Sequence, residues 1–62
     1  MSYAKCIVLQ QQAFKAYKNG DIVTAVDLTL QARELLSDEQ ARKELMERIT
    51  AWEEELYGKD AR

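Results

Sequence analysis

Ala13-Phe14-Lys15-Ala16-Tyr17-Lys18-Asn19-Gly20-Asp21-Ile22-Val23-Thr24-Ala25-Val26 is the stretch that decides the fold. Before Asn19, small and aromatic residues recur at helical spacing: Ala13, Phe14, Ala16 and Tyr17. After Asp21 they recur again: Ile22, Ala25, Val26, Thr29, Ala32 and Leu36. Gly20 has no Cβ, so it can take the left-handed conformation that commonly closes a helix. Asp21 is suited to cap the next helix. Its carboxylate can accept from the first-turn N–H groups and is favoured by the helix dipole. A stop followed at once by a start predicts a helical hairpin with almost no loop.

The first helix is predicted over 3–19, with Ser2 as its cap; Met1 and this early cap read as a natural start. Tyr3, Ile7, Gln10, Phe14 and Tyr17 form one stripe, flanked by Cys6, Leu9, Ala13 and Ala16. The opposite face carries Lys5, Gln11, Gln12, Lys15 and Asn19, with Val8 toward it. The second helix is predicted over 22–36, turning Ala25, Leu28, Thr29, Ala32, Leu35 and Leu36 inward. Small residues one heptad apart, Ala25 and Ala32, let two helix backbones approach closely. Val23 and Leu30 fall on the side of Asp27 and Glu34, outside that stripe.

A third helix is predicted over 38–57. Ser37-Asp38-Glu39-Gln40 matches a capping box, with Ser37 as the cap and Gln40 three residues on. Ala41, Leu45, Ile49, Trp52 and Leu56 then form its stripe, flanked by Met46 and Tyr57. Glu39–Lys43 and Glu44–Arg48 are favourable pairs four apart. Gly58 terminates the helix, and 58–62 reads as a frayed tail. No alternating segment supports a strand. The whole chain, 1–62, reads as one small helical domain.

Sixty-two residues rarely supply more than ~3–5 kcal/mol of net core stability. There is no disulfide pair, and the apolar fraction is 47%. Association with a copy or another protein is one way to cover the excess. The net charge of −2 argues against a nucleic-acid footprint taken whole. Its distribution is uneven: residues 1–20 carry Lys5, Lys15 and Lys18 and no acid, whereas residues 21–62 carry six basic and eleven acidic residues. Cys6, the one cysteine, suits a reducing cytoplasm, the localisation expected here. No apolar run approaches the ~20 residues of a membrane span.

No catalytic constellation is visible, and the chain is read as non-enzymatic. Without His, Ser–His and Cys–His nucleophile pairs are excluded, and a zinc site loses its usual nitrogen ligand. Glu53-Glu54-Glu55 is the densest acid run, but consecutive helical residues diverge, so it reads as a solvated face rather than a metal site. Cys6 and Trp52 read as core residues. No metal or cofactor is expected.

The residues of Ala13–Leu36 resemble a tetratricopeptide repeat. Aligned on Gly20-Asp21, Ala13 stands at the family's small position in the first helix, and Ala25 and Ala32 at the two alanine positions of the second. Leu9 stands where the family prefers tryptophan, Ala16 and Thr29 where it prefers aromatics, and Ser37 where it usually has proline. The resemblance covers roughly residues 6–37. One such hairpin followed by one helix is similar to the MIT domain, which the third helix fits in outline. Both resemblances imply binding of helical or extended peptide segments between helices. Asp38-Glu39-Gln40-Ala41 and Glu55-Leu56-Tyr57 also resemble the Rop family of small RNA-regulating dimers.

The expectation is therefore an all-α, three-helix domain: a tetratricopeptide-like antiparallel hairpin plus a C-terminal capping helix. Its expected role is non-catalytic protein–protein interaction, as an adaptor, small chaperone or assembly subunit. The partner is a protein or peptide, or a second copy, met through Val8, Val23, Leu30, Met46 and Tyr57. The alternative is a dimeric nucleic-acid regulator using the basic patch Lys5, Lys15 and Lys18 on the first helix.

Overall fold

A computed structural model describes the backbone of residues 2–58 and the side chains of residues 4–58. It is all-α. Helix α1 spans Ser2–Lys18, α2 spans Ile22–Glu34 and α3 spans Glu39–Tyr57. The side chains of Ser2 and Tyr3 and the tail 59–62 lie outside the described residues, and with them the Ser2 cap and the frayed tail of the sequence reading.

The pivot folds as its residues dictate. Gly20 has φ +85°, in the left-handed region that costs a Cβ-bearing residue energy. The Asp21 N–H donates to Ala16 O at 2.9 Å and the Gly20 N–H to Tyr17 O at 2.9 Å. This bond pair is the Schellman closure, which satisfies carbonyls that a helix end leaves unpaired. Asp21 then caps α2, its carboxylate accepting from the Thr24 N–H at 3.2 Å. One residue thus completes the first helix through its backbone and starts the second through its side chain.

The second junction departs from the sequence reading in two ways. Helix α2 stops at Glu34, two residues short of the expected Leu36. The Leu35 N–H donates to Ala32 O (3.0 Å) and the Leu36 N–H to Arg33 O (3.1 Å), tightening the last turn. Leu35 and Leu36 leave the helix to pack on Leu45. The cap of α3 is Asp38, not Ser37. The Asp38 carboxylate accepts from the Ala41 N–H at 2.9 Å, so no Ser37–Gln40 box forms. Both residues can cap, but a carboxylate also gains from the helix dipole, and its acceptor is ionised. At the far end Gly58 closes α3 with φ +87°.

The core is built mostly from small residues. One cluster joins Cys6, Ala32 and Leu45, with Leu9, Leu35 and Leu36 around it. A second joins Ala13, Ala25 and Trp52, with Ala16, Tyr17, Ile22, Val26 and Leu28 around it. Thr29 is fully buried between them, its hydroxyl donating to Ala25 O at 2.8 Å. Ala13 and Ala25 let α1 and α2 pack closely along their lengths, and α3 lays its Leu45–Ile49–Trp52 stripe over the pair.

The inner face of α1 centres on Cys6 and Ala13, and three sequence assignments are corrected. Ile7 and Phe14, read as core, are 40% and 43% exposed. Leu56 on α3, also read as core, is exposed. The alanine face takes the helix crossing because small residues permit the closest approach. The larger residues are thereby turned to the flank, where Phe14 meets Trp52 edge-on at 5.6 Å between ring centroids. Tyr17 stacks on the same indole at 4.9 Å and 15°. Trp52 is thus sandwiched by α1 aromatics and underlain by Ala13 and Ala25.

Candidate functional site

All five residues read from the sequence as partner contacts are exposed: Val8, Val23, Leu30, Met46 and Tyr57. Two of them lie on α2, two on α3 and one on α1. Val23 and Leu30 are one heptad apart on α2, with half-buried Val26 between them on the same flank. Met46 and Tyr57 are three turns apart on α3. The two flanks face one groove, since Arg33 of α2 and Met46 of α3 line the same concavity. Val8 stands alone on the outer arc of α1, beside lysines and glutamines.

That concavity has a volume of about 550 Å³ and is lined by Arg33, Glu39, Arg42, Lys43 and Met46. Three cations and one acid make it basic within a chain whose overall charge is −2. Arg42 is half-buried and donates from Nη1 to Leu36 O at 3.5 Å. Arg33 lies 3.9 Å from the Glu34 carboxylate through Nη1, while its Nε is buried with no hydrogen-bond partner. A buried unpaired N–H is costly to the fold.

Sequence reasoning missed this basic cluster. Residues 21–62 carry an excess of acid, which masked three cations separated in sequence. Only the α2–α3 turn at Leu35–Asp38 brings Arg33 beside Arg42 and Lys43.

The opposite end of the same α3 flank is acidic. Glu53 and Glu54 have no hydrogen bond or ion pair among the described residues. Glu55 is engaged differently: the Tyr17 hydroxyl donates to its Oε2 at 2.7 Å, tying α3 to α1. The hydrogen bond to Glu55 first, then burial and the carboxylate's charge, raise the Tyr17 pKa above its ordinary value near 10. A raised tyrosine pKa stabilises the fold while the hydroxyl is protonated. That contribution is fully present below pH ~10 and is lost as pH rises through the folded-state value. Helix content of the wild type is therefore expected to fall more steeply above pH ~10 than that of Tyr17→Phe, followed by circular dichroism alongside tyrosinate absorbance.

The expected Glu39–Lys43 and Glu44–Arg48 pairs are not made; the ion pair among the described residues is Arg33–Glu34. Arg48 turns instead to α1. Its Nη1 donates to Gln10 Oε1 at 3.3 Å, and its guanidinium lies 4.5 Å over the Phe14 ring. Planar stacking plus a hydrogen bond outweighs an exposed pair worth only a few tenths of a kcal/mol.

Lys5, Lys15 and Lys18 are exposed on the outer arc of α1. Lys15 lines a shallow hollow of about 340 Å³ with Gln12, Asn19, Asp21 and Thr24. Among the described residues, the aromatic rings of α1, Phe14 and Tyr17, are turned to Trp52. Cys6 is fully buried: it donates from Sγ to Ala32 O at 3.5 Å and accepts from Gln10 Nε2 at 3.3 Å, a core thiol. Among the described residues, no group of three or more His, Cys, Asp or Glu converges as a metal site, and no helix is long and apolar enough to cross a membrane. Compared with protein-family models, curated proteins and solved structures, the chain matches none.

Proposed function

We propose that this chain is a non-catalytic protein–protein interaction module of tetratricopeptide-like build, docking its partner along the outer α2–α3 groove. One observation carries the reading. Val23, Leu30, Met46 and Tyr57 are 62%, 39%, 37% and 70% exposed, on the flanks of α2 and α3 that carry Arg33 and Met46 into one concavity. Scattered apolar surface residues are ordinary; several on two neighbouring helix flanks mark an interaction surface. The groove offers an apolar strip, a basic end and an acidic end, which fix both the position and the direction of a bound helix or strand. The tight alanine hairpin supplies a rigid platform, and α3 supplies the second wall. A nucleic-acid surface joins a basic track to stacking rings; among the described residues the α1 rings, Phe14 and Tyr17, turn to Trp52 instead.

Site-specific photo-crosslinking tests the reading. A photoreactive residue at Leu30 or Met46 is expected to yield adducts with polypeptide in the cell of origin. The same residue at Gln11, on the outer face of α1, is expected to yield few. Equal yields at the three positions would refute the docking face.

A further inference from the structure

We infer that the occupant of the α2–α3 groove is a second copy of this chain, inverted by a two-fold axis that passes outside α3 at the level of Arg48. The inference rests on the docking face proposed above and adds the identity of the partner. Its basis is the order of charges along α3. Arg42 and Glu53 are eleven residues apart, as are Lys43 and Glu54. Eleven residues are three turns plus about 20°, so each opposite-charge pair keeps nearly one azimuth, about 16 Å apart along the axis. Met46 and Tyr57 have the same spacing on the neighbouring azimuth.

A two-fold axis midway between these pairs maps the basic end onto the acidic end. Arg42 and Lys43 of one copy then meet Glu53 and Glu54 of the other, and the contact occurs twice because the interface is isologous. Near the axis, Leu30 and Met46 of one copy face the same stretch of the other, so apolar surface covers apolar surface.

A foreign partner would need the same strip with the same charges in reverse order; this chain carries that surface itself. The area suffices. A standard interface takes about 800 Å² per partner, about a sixth of the 4605 Å² accessible surface. Salt dependence follows, because the charge pairs lie at the rim, where attraction is screened.

The test uses the full chain in sedimentation equilibrium over a wide concentration range, with helix content measured on the same samples. The wild type is expected to pass from 7.2 kDa monomer to a dimer of twice that mass. Arg42→Glu/Lys43→Glu makes both ends of the face acidic; Glu53→Lys/Glu54→Lys makes both ends basic. Each variant alone is expected to lose at least about tenfold in self-affinity at low salt. Their equimolar mixture is expected to recover association, because an all-acidic face then meets an all-basic one. The exposed single changes Lys43→Glu and Glu54→Lys repeat the test with less risk to folding.

A wild type monomeric at every concentration, or a mixture no tighter than its components, overturns the second copy. The Leu30 crosslink separates that failure from failure of the docking face. An adduct of twice the chain mass supports the dimer. An adduct to a different protein keeps the face and removes the dimer, and no adduct above the Gln11 control removes both.

Discussion

Trp52→Ala is expected to leave the chain unfolded in dilute buffer at room temperature. Trp52 is 5% exposed and is the largest side chain in a core otherwise made of alanines, a threonine, a cysteine, Leu45 and Ile49. Truncating a buried tryptophan costs about 3–5 kcal/mol. A domain this small holds about 3–5 kcal/mol in total, so the loss equals the whole margin. The surroundings cannot collapse into the space. Ala13 and Ala25 beneath the indole have no reach, and Tyr17 and Phe14 are held on α1. The two aromatic contacts add about 0.5–1.5 kcal/mol each beyond buried area. Trp52→Phe keeps a ring in the sandwich and is expected to remain folded with a reduced midpoint. Urea titration followed by far-ultraviolet circular dichroism reads both; a cooperative transition for Trp52→Ala near the wild-type midpoint would contradict this account of the core.

Ala25→Leu is the next largest effect, expected to cost about 1–3 kcal/mol through overpacking. Ala25 is fully buried in the cluster with Ala13 and Trp52. A leucine there must push α1 from α2 or lift Trp52, and either movement breaks the aromatic sandwich. In a domain of this size each kcal/mol lowers the melting temperature by roughly 4–8 °C. The same substitution at exposed Ala51 is expected to stay within about 0.5 kcal/mol. Equal melting temperatures for Ala25→Leu and Ala51→Leu would mean that the hairpin does not depend on small residues at its crossing.

How much of the fold was legible depended on how local its cause was. The Gly20-Asp21 break was readable because a positive φ and an N-cap involve residues only a few positions away. The exposure of Val23 and Leu30 was readable because α2 has one apolar stripe, and they fall outside it. Ile7, Phe14 and Leu56 were misread because a helical wheel gives a stripe but not its centre. In α1 the aromatic and the alanine edges are about one residue's rotation apart. Hydropathy favours the larger residues, whereas backbone approach favours the smaller ones. The Ser37–Asp38 ambiguity was of another kind: two adjacent residues can each cap, and one residue of chain direction chose between them.

The candidate site divides along the same line. Its apolar members were legible one by one, as residues left over from each helix's stripe. Their assembly was not, because it needed the side on which α3 packs. The basic end was invisible, since Arg33 is nine residues from Arg42 and the segment containing both is acidic on balance.

The sequence by itself determined three helices, the hairpin at Gly20-Asp21 and the terminator at Gly58. These rest on bonds within one or two turns of chain, which form wherever the residues occur. Only the tertiary structure decided that Cys6 and Ala13, not Ile7 and Phe14, face the crossing. It also decided that Arg48 leaves Glu44 for Phe14, and that Arg33 joins Arg42 and Lys43 in one concavity beside Met46. Those outcomes depend on steric fit and charge between segments far apart in the chain, and such terms have no value until the helices have packed.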